Sequence, residues 1–235
     1  MKVNKWLKVV QSMLWPARCA LCSERVPDGG GLCAGCRADM PRAVASCECC
    51  GTPLPVAGRC GRCLVKPPPF DSVQSLYLYE QPVIHLIHAL KFDAKLHLAR
   101  TLGGLLADHI ATLPGDRPEK LLPVPLHPRR LRERGYNQAL ELARPLAKQL
   151  GVAVDFTSCK KIRYVAPQAT LSADRRRKNI RGAFDVSGAI NARHVAIVDD
   201  VMTTGATAAE LARTLKKAGV ERVDVWVCAY APLPR

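Results

Sequence analysis

The chain has 235 residues, and 48% of them are hydrophobic, which is enough for a packed core and excludes global disorder. Its length suits one or two domains, and no apolar run approaches the roughly 18 residues that a membrane-spanning helix needs. The 35 lysines and arginines exceed the 20 aspartates and glutamates, and the resulting net charge of +15 points to phosphates or nucleic acid as partners. Because aromatic residues make up only 5%, an extended base-stacking surface is not expected.

The positive charge is concentrated in one part of the chain. Residues 120–182 contain 15 basic against four acidic residues, whereas residues 183–235 contain six of each. A uniformly basic, solvated surface would spread this excess along the whole sequence. We therefore expect the stretch 120–182 to contact a polyanion.

The N-terminal region predicts a short amphipathic helix over residues 3–14, with Trp6, Val9 and Leu14 on its apolar side. That side is expected to pack on the rest of the protein, and contact with a membrane surface or a partner is the alternative. Lysines interrupt the segment, so it does not resemble a secretory signal. The expected location is the cytoplasm, where clustered cysteines are more commonly metal ligands than disulfides.

Nine of the 11 cysteines lie between residues 19 and 63, and eight of them form four Cys-x2-Cys turns. Each turn places two sulfurs on one side of a tight loop, and two turns complete a thiolate tetrahedron, so we predict two structural zinc ions. Pairing of consecutive turns is favoured over an interleaved arrangement, and Cys49 does not fit the spacing. The predicted ligands are Cys19, Cys22, Cys33 and Cys36 for one ion, and Cys47, Cys50, Cys60 and Cys63 for the other.

The prolines at 67–69 predict a stiff connector between a cysteine-rich module over 1–66 and a second domain over 71–235. Beyond them, apolar strand-like runs alternate with helical periodicity, which indicates an α/β domain with a mostly parallel sheet. The predicted strands are 73–79, 121–124, 152–156, 194–198 and 223–230, and the predicted helices are 82–92, 96–113, 137–150 and 206–218.

The sharpest chemical pattern follows the predicted strand 194–198. Asp199 and Asp200 come at its carboxyl end, where ligands bind in open α/β sheets. The Thr/Gly-rich loop 203–207 then opens a helix, whose free N–H groups and hydroxyls suit a phosphate. Helix capping alone needs one such residue, so two acids and three threonines favour a sugar phosphate bound together with Mg²⁺.

Two basic runs accompany this pattern. In the run 123–138, Arg129, Arg132 and Arg134 are candidates to bind a pyrophosphate through forked hydrogen bonds. The run 160–184 has little apolar periodicity and is long enough to form a mobile flap over the site. For both runs, a solvated charged surface is the alternative. Because both are predicted at the carboxyl edge of the sheet, we expect both to lie near the phosphate site.

The run from Asp199 to Thr207 resembles the phosphoribosyl pyrophosphate (PRPP) motif of type I phosphoribosyltransferases. This resemblance implies that Asp199 and Asp200 hold the ribose hydroxyls and Mg²⁺, while the loop binds the 5′-phosphate. The loop residues concerned are Thr203, Thr204, Gly205, Ala206 and Thr207.

The order of motifs over nearly the whole chain resembles the ComF family, including its GntX-type members. The cysteine turns, the Arg-Gly-Tyr-Asn-Gln segment at 134–138 and the PRPP motif carry this resemblance. It implies a double zinc ribbon before a phosphoribosyltransferase-like domain and a role in natural transformation or the use of external DNA. Single-stranded DNA and DNA-uptake proteins are then expected partners. The extra Cys49 and the absence of a glycine shortly after Lys91 depart from the family pattern.

Two functions are compatible with these residues. An enzyme would displace pyrophosphate from PRPP, with Asp199, Asp200, Arg129, Arg132 and Arg134 as its candidate catalytic residues. A catalytically silent regulatory module would use the same fold to bind single-stranded nucleic acid. If the same arginines serve both ligands, PRPP and DNA should compete.

Overall fold

A computed structural model describes residues 18–26, 31–165, 178–188 and 190–232. The predicted helix over 3–14 lies outside the described residues, as does the centre of the basic run 160–184. Within the described ranges, no helix combines the length and the apolar character needed to cross a bilayer.

The cysteine-rich region consists of short elements between the metal-binding turns. They are α1 (Ala34–Ala38), β1 (Ala45–Ser46), β2 (Pro53–Leu54) and α2 (Gly61–Val65), and β1 pairs with β2 in antiparallel fashion. Cys33 caps the first of these helices, because its sulfur accepts a hydrogen bond from the N–H of Cys36. The conformation of this region therefore follows the cysteine positions rather than a large apolar core.

The rest of the described chain alternates between strands and helices around one parallel sheet. In chain order the elements are β3 (Ser72–Leu78), α3 (Val83–Phe92), α4 (His97–Ala111), β4 (Lys120–Pro123), α5 (Pro128–Arg134), α6 (Gln138–Leu150), β5 (Ala153–Val154), β6 (Cys159–Lys161), β7 (Phe184–Val186), β8 (His194–Met202), α7 (Ala206–Lys217) and β9 (Arg222–Tyr230).

Five strands form the central sheet in the order β3-β9-β8-β4-β5, and every neighbouring pair is parallel. The α/β class and the parallel sheet predicted from the sequence are thus confirmed. β8 and β9 are apolar and buried along most of their length, as expected for parallel strands covered on both faces.

The two faces of the sheet are covered by different elements. The back face, as we name it, is the side covered by α3, α4 and α6, and the front face is the side covered by α7 and the β6–β7 hairpin. Right-handed crossovers explain this division. The chain moves from β3 towards β5 through α3, α4 and α6, and it returns from β8 to β9 through α7.

Each cysteine group packs against a different face. Around the first group, Leu32 and Met40 are buried in the core cluster that contains α4. In the second group, Gly51 has a φ of +74°, and a Cβ there would lie 2.7 Å from Val73 Cγ1 in β3. Thr52 Oγ1 also lies 3.0 Å from the hydroxyl of Tyr230 at the end of β9. This close approach requires glycine at position 51.

The structure corrects three expectations. The predicted strand 194–198 continues to Met202, so the acidic pair lies within β8 rather than after it. Part of the run 123–138 is the helix α5. The ends of the predicted flap pair as the antiparallel strands β6 and β7. The sequence did not predict α5 or the β6–β7 pair, because these segments are rich in charged residues and their apolar periodicity is weak.

Candidate functional site

The candidate site lies at the carboxyl edge of the sheet, between β4 and β8. The chain leaves β8 towards β9 and leaves β4 towards β5, so these neighbours mark the point where the winding direction reverses. In open α/β sheets, a crevice forms there because the following loops diverge. The acidic pair and the loop before α7 both come from this part of β8.

Asp200 points to the back face, where it meets the end of α3. It is only 3% exposed, and its Oδ1 lies 2.9 Å from Lys91 Nζ. Burial lowers the pKa of Lys91, but the carboxylates of Asp200 and Asp199 outweigh it, so the pKa is raised overall. The second oxygen of Asp200, Oδ2, has no hydrogen-bond partner among the described residues. One oxygen is therefore neutralised, while the other is buried without a partner in the described part of the chain, an arrangement that a donor or a cation would stabilise.

Asp199 points to the front face, because successive side chains of a strand alternate in direction. Its Oδ1 accepts a hydrogen bond of 2.8 Å from the backbone N–H of Asp200. Burial and the adjacent Asp200 raise the pKa of Asp199 to about 7, although Lys91 and Lys161 favour its ionised form. A hydroxyl donor or a divalent cation would favour that ionised form further.

The loop after β8 forms the second part of the site. Gly205 has a φ of +71° and precedes α7, and it offers no side-chain cap to the helix. Ala206 N–H donates to Thr204 Oγ1 at 3.3 Å, and the first helical hydrogen bond runs from Ala209 N–H to the carbonyl of Gly205. The N–H groups of residues 207 and 208 therefore precede that first helical hydrogen bond. These donors and the positive end of the helix dipole provide a cradle for an anion.

The three predicted arginines do not lie together. Arg134 is half-buried and donates a hydrogen bond of 2.5 Å to Gln138 Oε1. Burial and Arg130 lower the pKa of Arg134, and the two carboxylates of β8 partly offset this effect. Arg129 and Arg132 are exposed, and Arg129 pairs with Glu133 at 3.1 Å. Of the three, Arg134 is the one held in the electrostatic range of the acidic pair.

The start of the second basic run reaches the same edge. Burial lowers the pKa of Lys161 in β6, and Asp199 opposes this shift. Tyr164 contacts α5, since the Arg129 guanidinium lies 4.6 Å from its ring centroid. The remaining candidates of this run, residues 166–177, lie outside the described residues.

Sequence reasoning missed the role of Lys91. The available signal was a lysine at the end of an otherwise apolar helix, at a position that burial would disfavour without a partner. Its partner lies 109 residues further along the chain, so only the fold brings the two charges together.

The eight predicted zinc ligands form two groups, as the consecutive pairing required. In each group the four sulfurs lie within 4.8 Å of one another. The Cys22–Cys33 and Cys50–Cys60 sulfur distances are 3.6 and 3.7 Å. A disulfide would need about 2.05 Å, whereas zinc–sulfur bonds of about 2.3 Å give a tetrahedral edge of about 3.8 Å. Both groups therefore fit a structural zinc ion, and Cys49 lies outside both.

The thiols of the second group differ in ionisation, since burial, followed by the hydrogen bonds with Cys50 and Cys60, raises the pKa of Cys63. Burial raises the pKa of Cys50, but hydrogen bonds, first from Thr52 and then from Cys63 and Arg62, outweigh it and lower that pKa to about 6. The thiolate is the form that binds metal, so the second group contains a preformed ligand at neutral pH.

Fold and site together define a class: a cysteine-rich double ribbon joined to a phosphoribosyltransferase-type domain. Residues 10–64 match the family model of the double zinc ribbon domain, and residues 137–233 match that of the phosphoribosyl transferase domain.

Relatives narrow this class to one family. The chain is 36% identical to Competence protein F of Haemophilus influenzae over 224 residues, which cover 91% of this chain and 97% of the relative. It is 39% identical over 171 residues to DNA utilization protein YhgH of Salmonella typhi and, equally, of Escherichia coli K12, which covers 71% of this chain and 75% of each relative. The chain belongs to the ComF family.

Similarity to solved structures is weaker. Glutamine PRPP amidotransferase from B. subtilis aligns with a TM-score of 0.35 and 20% identity, covering 55% of this chain and 25% of that one.

Proposed function

We propose that the protein binds PRPP together with Mg²⁺ and acts in the use of external DNA. One observation supports this ligand: two adjacent carboxylates of β8 and the N-terminus of α7 lie together at the reversal point of the sheet. A sugar phosphate combines hydroxyls and a phosphate in one small molecule. Carboxylates bind hydroxyls and Mg²⁺, and a helix N-terminus binds a phosphate.

The proposed contacts follow the chemistry of each residue. Asp199 and Asp200 accept hydrogen bonds from ribose hydroxyls and ligate Mg²⁺, for which the unpartnered Asp200 Oδ2 is a suitable donor atom. The N–H groups and hydroxyls of residues 203–207 bind the 5′-phosphate. Bound Mg²⁺ would neutralise phosphate charge beside the two carboxylates.

Arg134 is the proposed contact of the pyrophosphate group. Its guanidinium lies close enough to the acidic pair to be influenced by it, and α5 and its hydrogen bond to Gln138 hold it in place. If a nucleophile attacks the anomeric carbon of PRPP, pyrophosphate leaves with the bonding electron pair, and Arg134 stabilises that developing charge. This transfer reaction is the second candidate function, favoured by the position of Arg134.

The biological role is inferred from the relatives and the charge distribution. The names of the relatives refer to competence and to DNA utilization. The net charge of +11 over residues 120–182, within a chain of net charge +15, is suited to a polyanion. We propose single-stranded DNA and DNA-uptake proteins as partners.

Calorimetric titration with PRPP and Mg²⁺ tests the ligand. Asp199→Asn removes a charged acceptor and should weaken binding by about tenfold or more, since a hydrogen bond to a charged group contributes about 1.5–3 kcal/mol. Asp185→Asn in β7 is the matched control, because Asp185 is an exposed strand carboxylate on the front face. Equal PRPP affinity in wild type and Asp199→Asn would reject the assigned role.

Turnover is tested separately. Release of pyrophosphate from PRPP in the presence of Mg²⁺ and a panel of bases would identify a transferase, and Arg134→Ala should then lower the rate. Binding without release of pyrophosphate would identify the regulatory module.

A further inference from the structure

A second concave surface lies on the front face, beside the loop 203–207, which we call the phosphate loop because it is the proposed phosphate site. It has a volume of about 580 Å³ and separates the second cysteine group from α7. Three segments line it: Pro67–Pro69 together with α2, residues 178–181, and α7. We name this surface the ribbon groove.

The ribbon groove is strongly cationic. Six basic side chains line it, against one carboxylate, Glu210, and the two zinc-binding cysteines Cys50 and Cys63. That carboxylate is already engaged, since it pairs with Arg213 at 2.6 Å and accepts a hydrogen bond of 2.7 Å from Gly182 N–H. The six basic residues are Arg62, Lys66, Lys178, Arg181, Arg213 and Lys217.

The placement of these charges favours a chain of phosphates over a single ion. Arg213 and Lys217 lie one turn apart on α7, while Lys66 belongs to the segment next to the prolines and Arg181 to the segment 178–181. The 12 residues of α7 span about 18 Å at 1.5 Å per residue, so one phosphate cannot contact both ends. A linear polyanion can contact all three segments.

The other residues that line the groove favour nucleic acid over an acidic peptide as the linear polyanion. At one end the groove reaches Thr204, Gly205 and Ala206, which belong to the phosphate loop. Pro67–Pro69, which are exposed or half-buried, provide apolar surface among the charges, which bases can contact but an acidic peptide does not need. A volume of about 580 Å³ suits a strand of a few nucleotides.

We infer that the ribbon groove binds single-stranded nucleic acid, with the backbone running along α7 to the phosphate loop. This inference deepens the proposed function and rests on it for the assignment of the loop as a phosphate site. It places the strand between the second cysteine group and α7 rather than on the exposed arginines of α5.

A matched pair of charge reversals tests this placement. Lys217 and Lys148 are both exposed lysines in the last turn of a helix, but Lys217 lies in the groove and Lys148 on the back face. The probe is a fluorescein-labelled 12-nucleotide oligo(dT), titrated with the full zinc-loaded chain and followed by fluorescence anisotropy. Lys217→Glu should weaken binding by about fivefold to tenfold, and Lys148→Glu by less than about twofold because charges beyond a Debye length are screened.

The salt dependence of the binding constant counts the phosphate contacts that each variant loses. Each lost phosphate contact should make the slope of log K against log salt less negative by about 0.7, so Lys66→Glu with Lys217→Glu should change it by about 1.4. Equal effects of Lys217→Glu and Lys148→Glu would overturn the placement. So would loss of binding on Arg129→Glu with Arg132→Glu while the groove variants bind normally.

Two further measurements separate the possible failures. PRPP titration of Lys217→Glu should match wild type, because Lys217 lies at the end of α7 away from the loop. If wild type does not bind PRPP, the proposed function fails while the groove result stands on its own. If poly-glutamate displaces the probe as effectively as unlabelled oligo(dT), the groove selects negative charge rather than nucleic acid, and the inference is overturned.

Discussion

The back and front faces of the sheet contain the same two kinds of feature in different surroundings. Each face has one cysteine group and one carboxylate of the acidic pair. On the back face, Leu32 beside the first group is buried, and Asp200 is paired with Lys91. On the front face, the second group borders an open cationic groove, and Asp199 has a raised pKa. We propose that the back face mainly stabilises the fold and contributes Asp200 to the ligand site, while the front face provides the other proposed ligand contacts.

Removal of one zinc ligand from each group should produce the largest effects. Cys36→Ser and Cys60→Ser are matched, because both cysteines are half-buried members of their tetrads. Metal analysis should find about two zinc ions in wild type and about one in each variant, since structural zinc contributes about 10 kcal/mol or more of folding free energy.

The two variants should differ in DNA binding. Cys60→Ser should weaken binding of oligo(dT), because α2 and its Arg62 line the groove, whereas Cys36→Ser should leave that affinity near wild type. Equal loss in both variants would contradict the division of roles between the faces. Wild-type protein that folds without metal would contradict the zinc assignment.

Neutralising the two carboxylates one at a time should give the next largest difference. Asp200→Asn leaves the half-buried Lys91 without its partner and should lower the free energy of unfolding by up to about 3 kcal/mol. Asp199→Asn removes a carboxylate that burial disfavours and should not lower stability at pH 7. Urea denaturation measures both, and Lys91→Met should largely rescue Asp200→Asn but have no such effect on Asp199→Asn.

A smaller effect is expected from pH, which should change the free energy of unfolding through Asp199 on the front face. The pKa of Asp199 is raised to about 7 from about 3.9 in the unfolded chain, so its contribution is complete below pH 4 and is lost as the pH rises through 7. Between pH 6 and pH 7, wild type should lose about 1 kcal/mol relative to Asp199→Asn. Denaturation at both pH values checks this, and parallel curves would show that Asp199 is already ionised.

The sequence predicted those features that depend on local pattern. Apolar runs located the strands around 73–79 and 223–230, and cysteine spacing grouped the zinc ligands. It did not predict α5, because that helix is rich in arginine and has no buried residue. Nor did it predict the pair of Lys91 with Asp200, or the packing of Gly51 on Val73, since both depend on long-range contacts that no local period encodes. The assignment of one cysteine group to each face has the same origin.

The hydrogen bond between Thr52 and Tyr230 joins residues 178 positions apart, and β3 likewise pairs with β9. During synthesis from the N-terminus, both cysteine groups leave the ribosome long before β9, so they can bind zinc while the sheet is still incomplete. Contacts of such high sequence separation form late. We therefore expect the growing chain to acquire its metal centres first and its groove last, and a polypeptide that stops before β9 should bind zinc but lack the proposed surface for DNA.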